Sequence, residues 1–546
     1  METVSIVLVI LLAVVVSSAL ARALPIPVPL PLIQIGLGVM ITAVADLGIT
    51  LNPDVFFLLF LPPLLFLDGW RIPRDALVRD IGTISALAIG LVVFTVLGLG
   101  FFVHWMIPAM PLAVAFALAA IVSPTDAFAV SAIVARGPIP ERIMRILEGE
   151  SLLNDASGLV CMSFAVLAVT TGAFSLADAF GDFLWVSIGG VMTGIFVTWA
   201  AAVAKNFVAR RFGDEPGTQI LVSILMPFAA YMLAEHLGCS GVLGAVAAGL
   251  AMTTVEHGGQ IAPVSRISRK VVWDAIQFTA TGIIFVLLGE QLPQIAMRAA
   301  RVVLEAHQRD VGWLLLYVVA ITLALAVLRF LWVWVTLRFT LSWRKSRRRP
   351  EGGPSWRLIA AMSLAGVRGA VTLAGILTLP LVLPDGSPFP ARDLAIFLAA
   401  GVIIVSLVAA SCALPYLMRG VELPRAHPRR KEEIRARIAA AEAAILAIEQ
   451  AQRELKGPEA QDPLYAEVGA DLIRQYQRRI DGHAGSGKEA ERIRRAAEIE
   501  RELHLAAVRA ERDSLYQAAR AHRISDNETR RLVQEVDLVE ARLLST

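Results

Sequence analysis

The sequence predicts an all-α polytopic membrane protein of about thirteen transmembrane helices, followed by a charged helical tail. Three observations carry that prediction. The 546-residue chain is 56% hydrophobic, and its mean hydropathy of +0.65 is too high for a soluble globular protein. Apolar stretches of about 20 residues, the length that crosses a bilayer, recur up to residue 419. Beyond residue 424 the pattern changes to Arg, Glu and Ala at helical spacing. The chain therefore divides into a membrane domain over 1–423 and a C-terminal domain over 424–546.

The predicted spans fall at 4–21, 26–45, 53–69, 81–107, 111–135, 143–171, 180–208, 216–236, 239–256, 272–292, 311–340, 355–381 and 393–419. The first resembles a signal sequence at Ala19-Leu20-Ala21, but its start, Met1-Glu2-Thr3, lacks the positive charge a signal needs. It is expected to remain as a span. With the N-terminus outside, the inner loops hold twenty Lys and Arg residues and the outer loops only Arg298, Arg301, Arg309 and Arg392. Positive charge favours the cytoplasm, which predicts N-out, C-in. The 298–309 cluster reads as an amphipathic interfacial stretch.

Cys161, Cys239 and Cys412 all sit in apolar spans, so a disulfide framework is not expected. The sequence holds no Walker loop, GxGxxG element or metal-ligand spacing, which argues against an ATP-driven pump. No cofactor and no nucleic-acid partner are expected. In the tail, breaks are expected at Gly457-Pro458, at Asp462-Pro463 and across 481–487, with the last helix capped at Ser525-Asp526-Asn527. The tail reads either as a solvated helical hairpin or dimer contact, or as a regulatory sensor.

Charged residues inside the spans carry the chemistry. A carboxylate in hydrocarbon costs about 2.5–3.5 kcal/mol, so an acid there is expected to bind something. Asp126 follows Ser123-Pro124-Thr125 near the middle of the fifth span. Pro124 cannot donate a backbone hydrogen bond and obstructs the carbonyl four residues back, so the helix should break there. Broken helices at the midplane expose half-helix ends that transporters use for ions. Glu150, Ser151, Asn154 and Asp155 open the sixth span. Helical spacing puts Asn154 on the face of Glu150 and turns Asp155 about 140° away. One face could bind an arginine while the other meets Asp126. Two facing carboxylates raise each other's proton affinity, and a site that binds either a cation or protons yields exchange.

Arg329 and Arg368 lie inside the eleventh and twelfth spans, where an arginine needs an acid or backbone carbonyls. Snorkelling remains open for Arg329; the glycines of Gly366-Val367-Arg368-Gly369 point to an interrupted helix. Asp68 either marks a membrane boundary or joins the ion path. The fifth and twelfth spans run in opposite directions seven spans apart, as two interrupted crossover helices of an inverted repeat of spans 1–6 on 8–13 would.

Ser123-Pro124-Thr125-Asp126, Gly149-Glu150-Ser151-Leu152-Leu153-Asn154-Asp155, Gly366-Val367-Arg368-Gly369 and Phe60-Leu61-Pro62-Pro63-Leu64-Leu65-Phe66 resemble the monovalent cation:proton antiporter-1 family, which includes bacterial NhaP-type antiporters and animal sodium/hydrogen exchangers. The resemblance covers about residues 1–420. It implies a thirteen-helix homodimer, with a six-helix core and a dimerisation domain, working by elevator-like alternating access. It implies that Na+ binds at Asp155 and Asp126, that Asn154 neighbours the ion-binding aspartate, and that Thr125 and Ser151 contribute ligand oxygens. Glu150 resembles the glutamate that pairs with an intramembrane arginine, Arg329 or Arg368. Asp68 is one residue out of register with the acid some relatives carry. An Asn-Asp rather than Asp-Asp pair points to electroneutral exchange.

The resulting expectation is a secondary antiporter of the inner membrane that exchanges Na+, or K+ or Li+, for H+. The rival readings are a potassium-preferring antiporter, a cation channel, and a membrane sensor that uses its tail as output.

Overall fold

The computed structural model describes residues 2–24, 28–44, 53–71, 82, 88, 90–126, 141–171, 176–212, 215–256, 263–307, 312–343, 356–418, 427–454, 463–484, 488–521 and 523–545. The second half of the fifth span and eight of the twenty inner-loop cations lie outside these residues. Two compact units emerge, Met1–Glu422 and Leu423–Thr546.

The first unit contains α1 (Glu2–Ala23), α2 (Leu30–Val44), α3 (Pro53–Arg71), α4 (Leu91–Met106), α5 (Leu112–Val122), α6 (Glu141–Thr171), α7 (Leu176–Phe212), α8 (Pro216–His236), α9 (Gly241–Glu256), α10 (Pro263–His307), α11 (Gly312–Trp343), α12 (Trp356–Leu364), α13 (Ala370–Leu377) and α14 (Arg392–Met418). Among the described residues, seven helices are long and apolar enough to cross a membrane, and α2, α4, α5 and α9 are shorter apolar helices. The remaining predicted positions are α3, which carries Asp68, and the interrupted pair α12–α13.

Packing sorts these helices into two groups. The first joins α1, α2 and α3 to α7, α8, α9 and α10; the second joins α4, α5 and α6 to α11, α12, α13 and α14. Spans 1–3 thus keep company with 8–10, and spans 4–6 with 11–13, the pairing an inverted repeat generates. α5 lies deepest. Its sequence, LAVAFALAAIV, is apolar on every side, as a helix packed all round must be, and Val114, Ala115 and Ala117 to Val122 are buried. α1 instead exposes Val4, Leu8, Leu12 and Val15, the surface of a lipid-facing helix.

Two boundaries differ from the expectation. α10 is one helix of 45 residues, about 67 Å at 1.5 Å per residue. Arg298 and Arg301 therefore ride on its continuation rather than on a separate interfacial stretch. α7 likewise runs to Phe212.

The second unit contains α15 (His427–Glu454), α16 (Pro463–Ala484), α17 (Lys488–Arg520) and α18 (Asp526–Ser545). α16 continues through Asp481 and Gly482 to Ala484, where a break was expected. One glycine costs a helix only about 1 kcal/mol relative to alanine. Ser525 caps α18: its hydroxyl accepts from Glu528 N at 3.2 Å, and the Glu528 carboxylate accepts from Ser525 N at 3.0 Å. This reciprocal pair is a capping box. Arg512 of α17 binds Asp537 at 2.7 Å and also Glu540, both on α18.

Candidate functional site

The site is built where two helices stop. α5 ends at Val122, and residues 124–126 are not helical, because Pro124 can neither donate to nor sterically tolerate the preceding turn. α12 ends at Leu364, the chain runs irregularly to Gly369, and α13 begins at Ala370. The two irregular segments are joined by backbone: Asp126 N donates to Val367 O at 2.7 Å. The Asp126 side chain packs on Gly369 in the space a β-carbon would occupy. That close approach is why glycine stands there.

A helix C-terminus leaves carbonyls without intrahelical donors and carries partial negative charge. Two arginines meet those carbonyls. Arg368 Nε donates to Val122 O at 2.8 Å and its Nη1 to Gly366 O. Arg329 Nε donates to Met362 O at 3.2 Å. Both guanidiniums are buried, so neither snorkels to a surface.

Arg329 also settles the choice of partner. Its Nη1 lies 2.5 Å from Glu150 Oε1, with both side chains at most 3% exposed. Glu150 pairs with Arg329 of α11, and Arg368 serves backbone carbonyls.

From Glu150 a chain of hydrogen bonds leads to the break in α5. Asn154 Nδ2 donates to Thr125 Oγ1 at 3.0 Å, and Thr125 Oγ1 donates to Glu150 Oε1 at 3.4 Å. Ser151 Oγ donates to Thr125 O at 2.6 Å. The hydroxyls of Thr125 and Ser151 are thus already engaged with protein groups, and any ion contact by them uses their remaining lone pairs. Among the described residues, Asn154 Oδ1 and Glu150 Oε2 are buried acceptors without a hydrogen-bond donor.

Asp155 is buried on α6, and its carboxylate lies within electrostatic range of both Asp126 and Asp68. Asp68, half-buried on α3, interacts in the same way with Asp126 and Arg71. The structure therefore gathers every residue singled out in the sequence: Asp155, Asp126, Asn154, Thr125 and Ser151 at the break, the Glu150–Arg329 pair and Arg368 behind it, and Asp68 facing it from the other helix group. Three carboxylates, Asp68, Asp126 and Asp155, interact electrostatically with one another, and a group of like charges favours the binding of protons or a cation.

Other polar residues were not anticipated. Glu290 is buried in α10, where Thr42 donates to its backbone carbonyl at 2.8 Å; the lone acid in Leu287-Leu288-Gly289-Glu290 was the available signal. Arg71 binds Asp274 and Gln277, each at 2.5 Å; the sequence showed it only as one of many loop cations.

A family model described as "Sodium/hydrogen exchanger, transmembrane" matches residues 7–420. The chain is 41% identical over 503 residues to an Escherichia coli (strain K12) protein named "Uncharacterized Na(+)/H(+) exchanger YjcE", covering 91% of each chain. It is 44% identical over 375 residues to a Bacillus pumilus (strain SAFR-032) protein named "Sodium, potassium, lithium and rubidium/H(+) antiporter", covering 68% of this chain and 55% of that one. Among solved structures, the fold matches the sodium proton antiporter MjNhaP1 from Methanocaldococcus jannaschii with a TM-score of 0.57 at 19% identity, over 77% of this chain and 99% of that one. A match across three quarters of the chain, with a relative of this identity along nearly its whole length, places the chain in the sodium/hydrogen exchanger family of transmembrane transporters.

Proposed function

We propose that the protein is a secondary antiporter that exchanges Na+, K+ or Li+ for H+ across the inner membrane, by alternating access and without a cofactor. The observation that carries this reading is the meeting of Asp126 and Asp155 at the crossing of two broken helices, with Asp68 within electrostatic range of both. Asp155 and Asp126 bind the cation or protons. Asn154 orders the break through Thr125, Ser151 holds the Thr125 carbonyl, and Asp68 lines the path. The Glu150–Arg329 pair and Arg368 hold the half-helices in register.

The Asn154-Asp155 pair, with one acid where a second class of antiporters has two, favours electroneutral exchange of one cation for one proton. The Bacillus pumilus relative is named for four alkali cations, which favours a site that accepts more than one. In this reading the chain is a homodimer with its N-terminus outside. Residues 1–423 carry transport, and residues 424–546 form a cytoplasmic appendage.

Everted vesicles loaded with a pH-sensitive dye test the proposal. Addition of Na+, Li+ or K+ should dissipate an acid interior, and Asp155→Asn should abolish that response while the protein stays folded in the membrane. Exchange retained by Asp155→Asn would remove Asp155 from its role.

A further inference from the structure

The far end of the half-helix that meets Asp126 is held by an arginine the exchange reading does not use. α13 is eight residues long, a rod of about 12 Å. Its N-cap is Gly369, on which the Asp126 side chain packs, so the positive end of the helix lies beside that carboxylate. Nearly all of its residues are buried. It packs against α3 and α10 of the first helix group as well as α5, α6 and α14 of the second.

Beyond α13 the chain folds back on itself. Leu383 N donates to Ser387 O at 2.7 Å and Phe389 N to Leu381 O at 3.1 Å, around a turn with Gly386 at φ 81°. The return ends at Ala391, the one non-glycine residue with positive φ (52°) among the described residues. A β-carbon crowds the following carbonyl in that conformation, and such strain persists where the surroundings require it. The next residue, Arg392, opens α14 and reaches back to the end of α13. Its Nε donates to Leu379 O at 2.9 Å and its Nη2 to Leu377 O at 3.2 Å. Those carbonyls lie where a helix end leaves acceptors unsatisfied. The Arg392 side chain is 17% exposed, and its Nη1 lies 3.9 Å from Asp393. One guanidinium thus bolts the outer end of the rod to α14.

We propose that Arg392 is a positioning residue of the ion site, which fixes α13 along its axis and so holds Gly369 against Asp126. The proposal rests on the antiport reading and adds a residue remote from the ion-binding carboxylates. Asp126 fills the space of a β-carbon at Gly369, so a small slide of the rod moves the Asp126 carboxylate. Arg298 of α10 interacts electrostatically with Arg392, so a cation remains at this end when Arg392 is neutralised. The feature peculiar to Arg392 is its pair of hydrogen bonds.

The experiment measures initial exchange rates against Na+ concentration in everted vesicles at fixed pH, normalised to membrane-inserted protein, so that KM separates from kcat. Arg392→Gln should raise the apparent KM about tenfold with kcat little changed, the scale of one lost hydrogen bond to a charged group. Ala391→Val keeps the guanidinium, but a β-branched residue is driven out of positive φ; it should carry Arg392 off the two carbonyls and raise KM as well. Ala391→Gly adopts positive φ freely and should keep the wild-type KM. The shifts should persist in added choline chloride, because a displaced ligand is not screened as a distant charge is. A bond that only stabilises the fold would lower kcat or the amount of protein and leave KM unchanged. That result overturns the proposal, as does a KM shift that choline chloride abolishes. Should Arg392→Gln be absent from the membrane, the two Ala391 variants decide: a raised KM in Ala391→Val alone supports the bolt, and equal KM values overturn it. Failure of the antiport reading would show separately, as a wild-type protein that does not exchange or an Asp155→Asn variant that does.

Discussion

Removing the Arg329 guanidinium should harm the protein more than removing both members of its pair. Glu150 is fully buried and has one carboxylate oxygen with no donor beyond the pair. Arg329→Met would strand that charge, which costs about 3–5 kcal/mol for a buried pair. It would also free the Met362 carbonyl from Arg329 Nε, a further loss of about 1 kcal/mol. The Arg329→Met, Glu150→Leu double variant strands no charge, and buried pairs replaced by apolar residues are often close to neutral. The double variant should therefore recover about 3 kcal/mol of what the single one loses, although it keeps the carbonyl penalty. Thermal unfolding in detergent, followed by fluorescence-detected size exclusion, ranks the four members of the cycle. Additive destabilisation in the double variant, or a single variant as stable as wild type, would refute the pairing as the element that holds α6 to α11.

Other outcomes follow from the same geometry. Gly369→Ala should displace the Asp126 side chain and sharply reduce exchange while leaving the amount of membrane-inserted protein unchanged, as vesicle transport against immunoblot would show. Ser525→Ala removes one half of the capping box and should destabilise α18 by about 1 kcal/mol, readable as faster proteolysis of the tail. Glu540 is held below the ordinary glutamate value of 4.5 by its hydrogen bond from Arg512, reinforced by the charges of Arg512 and Arg509. Its folded value is depressed, so its contribution to the α17–α18 contact is complete above 4.5 and lost as pH falls below it. Limited proteolysis of the full chain at pH 7 and pH 4 should therefore cut this pair faster in acid. Deleting residues 424–546 should leave cation-dependent proton movement in place.

Span number and order were legible because crossing hydrocarbon imposes a length of apolar chain that hydropathy records directly. Helix ends were less so. Nothing penalises a helix that continues into water, and α7 and α10 both do. Pro124 announced the break in α5 through its own chemistry, and the acid string at 150–155 announced itself by its cost. The partner of Glu150 was a different kind of question. Arg329 and Arg368 both lie at membrane depth, and no local pattern says how α11 and α12 are rotated some 180–220 residues away. Arg71 was harder still. As one cation among twenty on its side of the chain, it became distinctive only when α10 brought Asp274 and Gln277 to it.

The bond between Asp126 N and Val367 O has a consequence for how such a protein varies. It joins main chain to main chain, so no replacement of either side chain, proline at 126 excepted, removes it. The scaffold of the crossing is therefore insulated from mutation, while the carboxylates, hydroxyls and amides arranged on it are not. Lineages can change the ion that is carried, residue by residue, without passing through forms in which the crossing itself has come apart.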